Sequence, residues 1–297
     1  MNYELKFINR KNKVGTIIPT LFLLFGMTIT ARSQSQSDSL TAYLHRLPPT
    51  TRVSLAVQSL GRNGILVNHR ADERVPSASV IKLPIMLETM ERVKVGKLNL
   101  DEIHVLTDAE KVGGSGVLQT YPDQSRVSYR ELLRLMMVRS DNTATNIIIS
   151  KLGRETINQR IRTIGLTKSQ LNRVMMDTIS AQQGRDNFVS AQDMNRLLEK
   201  VYRHQVATPE LCNQMIEILK QNADTLCIPR LLPKSTVVAH KTGSLTYVRG
   251  DSGIVYAKSG RRAEPFLISI FVEGVPMEEA EQIIGEISLV CYTYFSR

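Results

Sequence analysis

Strand-like alternation occurs at both ends of this 297-residue chain, and helical 3–4 spacing fills the stretch between. Residues 52–59 and 64–70 read as strands joined by the turn-rich Leu60-Gly61-Arg62-Asn63. Residues 236–240, 252–256 and 266–272 read as three more strands near the other end. Between residues 79 and 222 the pattern is helical. Leu132, Leu133, Leu135, Met136 and Met137 make one apolar face. Ile147, Ile148, Ile149 and Leu152 make a second, ended by Gly153, and Met194, Leu197, Leu198 and Val201 a third. Amphipathic helices are also predicted over residues 37–47 and 277–295. Strands so far apart in sequence bury their edges most simply by meeting in one sheet. The predicted fold is therefore α+β. A five-stranded antiparallel sheet from both termini carries the terminal helices, and an all-helical domain lies beside it with the active site in the cleft between. The predicted boundaries are 34–72 with 223–297 for the sheet domain and 73–222 for the helical domain.

The first 33 residues stand outside that pattern. Lys6, Arg10, Lys11 and Lys13 precede an apolar run over residues 16–30, and Ala31-Arg32-Ser33 suits a small-x-small cleavage site. A cleaved secretory signal peptide is predicted, and with it a periplasmic or secreted protein without a stable membrane anchor. Five bases and one acid leave with the leader, so the net charge of +10 falls to +6. The full chain has the 42% hydrophobic and 22% charged content of a soluble globular protein. The absence of Trp, the few aromatics and the lack of a basic helix argue against nucleic acid as a partner. The five His are scattered with no His-x-x-x-His pair, so no metal or other cofactor is expected. Cys212 and Cys227 are spaced to pair in an exported chain, and three buried thiols including Cys291 are the other reading.

Three short motifs follow in order. Ser79-Val80-Ile81-Lys82 places a Ser and a Lys one helical turn apart at a helix start. The helix terminus there favours a developing oxyanion, and a desolvated Lys can act as base. Pro84 is tolerable in the first turns. Ser140-Asp141-Asn142 falls at a helix–helix corner, where the bland alternative is an N-cap. Lys241-Thr242-Gly243 follows the strand at 236–240, where Lys and Thr suit a carboxylate and Gly allows close approach. Ser-x-x-Lys alone is expected about once by chance, whereas all three together are expected at roughly 0.003.

With spacings of 61 residues from Ser79 to Ser140 and 101 from Ser140 to Lys241, these motifs give the chain a family likeness. It resembles the class A serine β-lactamases and their penicillin-binding relatives over about residues 38–297, including Glu73-Arg74-Val75-Pro76 before the nucleophile. The resemblance implies that Ser79 attacks a lactam carbonyl and forms an acyl-enzyme. It implies that Lys82 helps take the Ser79 proton and that Ser140 relays a proton to the leaving nitrogen. Asn142 would bind the substrate side-chain amide and Lys82, and Lys241 and Thr242 would hold a carboxylate. The N–H groups of Ser79 and Ser244 would form the oxyanion hole.

Two departures stand out. The family's Arg-x-Glu-x-x-x-Asn carries the Glu that activates the deacylating water. Here the run is Arg173-Val174-Met175-Met176-Asp177-Thr178-Ile179, with Met175 in the place of that Glu. Asp186 is the expected partner of Arg173 across the loop neck, and Asp193 reads as a first-turn acid after Ser190. That leaves Asp177 as the candidate base for deacylation, with a local cap or an Arg173 partner as its other reading. Arg249 is the candidate for the family's extra carboxylate-binding Arg, offset by a few residues, with a solvated turn Arg as the alternative.

The leading expectation is a monomeric, secreted serine hydrolase acting on a β-lactam or cell-wall peptide. A D,D-peptidase or esterase that penicillin acylates and that deacylates slowly is the alternative, favoured by Met175. A one-shot acylating sensor is a third possibility. The α/β-hydrolase elbow is absent, because Gly113-Gly114-Ser115-Gly116-Val117 lacks its closing Gly, and these glycines are expected at the cleft rim.

Overall fold

The strand-like ends of the chain meet in one sheet. The computed structural model describes residues 40–61, 65–259 and 262–296, and the leader expected over residues 1–33 lies outside them. Helix α1 (residues 40–46) leads into β1 (Arg52–Ser59) and β2 (Ile65–His69). Two short ribbons interrupt the helical stretch. They pair β3 (Val75–Pro76) with β6 (Phe188–Val189), and β4 (Ile103–Val105) with β5 (Arg126–Ser128). The chain then returns through β7 (Val237–Leu245), β8 (Val248–Ser259) and β9 (Arg262–Glu273). The main sheet has the order β2-β1-β9-β8-β7, with every neighbour antiparallel. This is the expected α+β class, with five strands drawn from both ends.

The last three strands run further than their alternation suggests. Pairing of β7 with β8 continues to Leu245 opposite Val248. Lys241-Thr242-Gly243 therefore lies inside β7 and not past its end. The apolar pattern stops at Lys241 because the cleft takes over from the core on that side of the strand.

Period-two alternation sends neighbours to opposite cores. Ile254 and Leu267 join a large core with the helical layer, while Val255, Phe266 and Ile268 join a second core under α9 (Met277–Phe295). Helix α9 contributes Ile283, Ile284, Ile287 and Cys291 to that second core, and α1 adds Leu40. Burying each such aliphatic side chain stabilises by about 1.5–3 kcal/mol. Cys212, Cys227 and Cys291 are buried free thiols, so the possible Cys212–Cys227 pairing is not formed.

Local signals set the helices. Helix α2 (Lys82–Lys94) is buried from Lys82 to Glu91 and runs through the centre. Ser128 caps α3 (Tyr129–Val138) through the Glu131 N–H. Asp141 caps α4 (Asn142–Leu152), which stops at Gly153 with φ 82°. After α5 (Arg154–Thr163) and the short α6 (Thr178–Gln182), Ser190 caps α7 (Ala191–Tyr202) and Thr208 caps α8 (Pro209–Leu219). Caps of this kind contribute about 1 kcal/mol each. No helix among the described residues is long and apolar enough to cross a membrane.

Candidate active site

Ser79 stands in a 3-10 turn, Ala78–Ile81, that feeds straight into α2. Ala78 holds φ 45° and Ser140 φ 53°, conformations that non-glycine residues adopt only under local constraint. Both bracket the same point. The Lys82 Nζ lies 3.1 Å from Ser79 Oγ and 3.0 Å from Ser140 Oγ. It also lies 2.7 Å from the Ser140 carbonyl and 3.1 Å from Asn142 Oδ1. The last two partners only accept. A neutral amine has two N–H groups for them and one lone pair left for a hydroxyl.

Lys82 is fully buried. Burial, with the Lys241 charge beside it, pushes its pKa well below the ordinary lysine range, against the pull of Asp141. Lys241, on β7, is also fully buried, and desolvation pushes it down to about 8. Its Nζ reaches Ser140 Oγ at 3.2 Å, so the Ser140 hydroxyl is shared by two lysines.

The middle residue of the second motif is structural. The Asp141 carboxylate accepts from the Ala144 N–H at 2.9 Å to cap α4, and from the Val117 and Leu118 N–H groups at 2.6 and 2.9 Å. It thereby draws the glycine-rich loop to the cleft rim, where Gly114 and Ser115 line the cavity. Asn142 Nδ2 donates to the Gly113 carbonyl at 3.1 Å.

Gly243 explains how β7 comes so close to the nucleophile. A Cβ there would lie 2.9 Å from the Ser79 nitrogen and 2.9 Å from Ala78 Cβ, too near for any real side chain. Ser244 follows at the exposed cleft edge. A cavity of about 790 Å³ opens here, bounded by Ser79, Ser140, Thr242 and Ser244 on one side and by Met175 and Met176 on the other.

The loop opposite is closed at its neck as expected. Arg173 Nε donates to Asp186 Oδ1 at 2.9 Å, and Asn187 Oδ1 accepts from the Asn172 and Arg173 N–H groups. Two residues that sequence reasoning missed also shape it. Asn146 accepts from the Met175 N–H at 2.8 Å and donates to the Met175 carbonyl at 3.1 Å. Its position one turn after Asn142 was the available signal. Tyr247 Oη donates to Asp186 Oδ2 at 3.0 Å and ties the β7–β8 hairpin to the loop.

Asp177 takes its capping alternative. Its Oδ1 accepts from the Ser180 N–H at 3.0 Å as the N-cap of α6. Its neighbours Met176 and Thr178 line the cavity and Asp177 does not. The two acids among the described lining residues are Asp186 and Asp224, each paired with an arginine. Arg249 is likewise no solvated turn residue. It is 5% exposed, with Nη2 2.7 Å from Asp224 Oδ2 and 3.0 Å from Glu281 Oε1, and it borders the same cavity.

A family model described as the beta-lactamase enzyme family matches residues 38–295. The VEB-1 beta-lactamase of Pseudomonas aeruginosa is 23% identical over 287 residues, covering 89% of this chain and 92% of that one. The extended-spectrum beta-lactamase PER-1 of the same organism is 24% identical over 239 residues, covering 75% and 76%. Among solved structures, PBP-A superposes with a TM-score of 0.78 at 25% identity, covering 90% of this chain and 96% of that one. A beta-lactamase from Chitinophaga pinensis gives 0.78 at 23%, covering 88% and 98%. With the family model spanning nearly all the described residues, and the fold agreeing, the chain belongs to the beta-lactamase enzyme family, as a class A-like serine hydrolase.

Proposed function

We propose that this enzyme is exported and opens the β-lactam amide through an acyl-enzyme on Ser79. The observation that carries the reading is the fully buried Lys82 amine, 3.1 Å from Ser79 Oγ and 3.0 Å from Ser140 Oγ. With its two N–H groups on the Ser140 and Asn142 oxygens, the lone pair takes the Ser79 proton as Oγ attacks the carbonyl carbon. The Ser79 and Ser244 N–H groups receive the oxyanion, which the close packing of Gly243 on the nucleophile turn supports. Ser140 passes a proton to the leaving nitrogen and is recharged from the lysine beside it. Lys241 and Thr242 hold the substrate carboxylate, and Asn142 the side-chain amide.

A second reading is favoured by one observation. Met175 faces the cavity with a side chain that accepts no proton, and both lining acids are engaged by arginines. Acylation without ready deacylation is the behaviour of a D,D-peptidase or esterase that penicillin traps. PBP-A, whose structures include a point mutant in acyl-enzyme complex with penicillin G, lends the comparison. The test mixes the protein with benzylpenicillin and a chromogenic cephalosporin, following product and intact mass together. Steady turnover lost in Ser79→Ala supports the hydrolase. A single burst with a lasting adduct on Ser79 supports the slow acyl-enzyme. Neither turnover nor adduct sinks both.

A further inference from the structure

The cleft already contains a carboxylate. Asp224 follows α8 on the loop that borders the cavity beside Thr242. Its Oδ2 accepts from Arg249 Nη2 at 2.7 Å and its Oδ1 from the Leu226 N–H at 3.1 Å. Burial raises its pKa, but the Arg249 guanidinium outweighs this, together with the hydrogen bond from the Leu226 N–H, and holds the carboxyl below its ordinary value. Asp224 is therefore an anion held on the Arg249 guanidinium, at the wall of the same cavity that Thr242 lines. Thr242 is one of the groups that the proposed function offers, with Lys241, to the carboxylate of a substrate, and Arg249 is the arginine that the family resemblance adds to them.

Arg249 does not depend on Asp224 alone. Glu281 on α9 lies 3.0 Å from its Nη2, and the other Glu281 oxygen lies 3.7 Å from Arg230. The Arg249 Nε is buried with no hydrogen-bond partner, so the guanidinium keeps a donor to spare. The Asp224 side chain is 30% exposed, whereas Arg249 is 5% exposed. Of the pair, Asp224 is the one able to swing aside.

We propose that Asp224 is an internal competitor for the anion subsite and sets substrate preference. A substrate carboxylate docking on Lys241 and Thr242 has to displace Asp224 or lie against its charge. A substrate that is neutral at that end, such as an ester or amide, meets no such opposition. The enzyme thus discriminates against carboxylate-bearing acyl donors relative to the same site without Asp224. This rests on the reading of Lys241, Thr242 and Arg249 as the substrate's anion site.

The experiment compares benzylpenicillin with its methyl ester, using the second-order rate of Ser79 acylation read by intact mass. Asp224→Asn keeps the shape and an acceptor for the Leu226 N–H and removes the charge. The acid-to-ester ratio is expected to rise about tenfold, as for loss of a close like charge. A merely structural role for Asp224 lowers both rates together, and an unchanged ratio overturns the proposal. A second readout is independent of acylation. Saturating benzoate should raise the melting temperature of Asp224→Asn more than that of the wild type. If neither penicillin acylates the protein, the hydrolase reading has failed, and the benzoate comparison still decides. Equal shifts then overturn the competitor role.

Discussion

Met175 and Asp177 are two residues apart, and their backbones send them in different directions. Met176, between them, takes φ 65°, so Met175 turns to the cavity and Asp177 turns to cap α6. Residue spacing puts Met175 at the family's Glu position by a linear count from Arg173, which needs no geometry. The same counting offers Asp177 as the base, whereas its carboxylate caps α6 and stays out of the cavity lining, because a carboxylate in a loop goes where its backbone aims it. Asn146 holds both polar backbone groups of Met175, so a replacement side chain inherits a fixed origin. Met175→Glu is expected to shorten the life of the Ser79 adduct by about tenfold or more, a modest share of what a placed general base supplies. Asp177→Ala should leave that lifetime as it was and lower the melting temperature only slightly through the lost cap. Adduct decay by intact mass and a thermal melt check both, and a faster decay lost in Asp177→Ala would restore Asp177 as the base. The lysines add a pH signature. Lys241 carries its charge below about 8 and loses it above, so kcat/KM for a carboxylate substrate should fall as pH rises through about 8. Lys82, depressed by burial, must be neutral to take a proton, so the acid limb follows its protonation as pH falls. The methyl ester should lack the alkaline limb, and an identical limb for acid and ester rules out Lys241 as its source.

Single elements make the site by close approach. Strand β7 reaches the Ser79 turn only because Gly243 has no side chain, with Ser77 O, Ser79 N and Ala78 Cβ all at about 3 Å from where a Cβ would sit. Gly243→Ala is expected to move the strand outward and cost about 10²-fold in the rate of Ser79 acylation, the scale of one lost oxyanion donor. The melting point should drop only a little, since β7 keeps its pairing with β8 over nine residue pairs. A rate within twofold of the wild type would sink the close-approach account. The element types and order were legible from periodicity, and the end of β7 was not. Alternation reports which side of a strand meets the core, and past His240 that side meets the cleft. The short β3–β6 and β4–β5 ribbons were missed for a related reason. At two or three residues they carry no period, and tertiary contacts alone create them.

At the scale of the molecule, the sheet and the helical layer share one core. Ala56, Ile254, Leu267 and Phe271 from the sheet belong to the same buried cluster as Met86, Leu132 and Leu197 from the helices. Strand β1 pairs with β9 along its whole length, although more than two hundred residues separate them. The helical stretch is thus inserted between the two halves of the sheet. The second core, under α9, belongs to the sheet side alone, while the large core crosses the expected boundary between residues 73–222 and the rest of the chain. This ties Ser79 and Ser140, carried by the helical layer, to Lys241, carried by the sheet, within hydrogen-bond reach. A cleft across a shared core holds such distances better than one between independently mobile domains. The expected consequence is one cooperative transition. Leu267, fully buried in β9, borders the helices from the sheet side, so Leu267→Ala should cost about 2–5 kcal/mol. Far-ultraviolet dichroism follows the helices and tyrosine absorbance follows both layers, and the two melts should shift together by the same amount. If the dichroism melt stays in place while the absorbance melt moves, the helical layer folds on its own. The distances around Lys82 would then be set by docking of two bodies and not by a common interior.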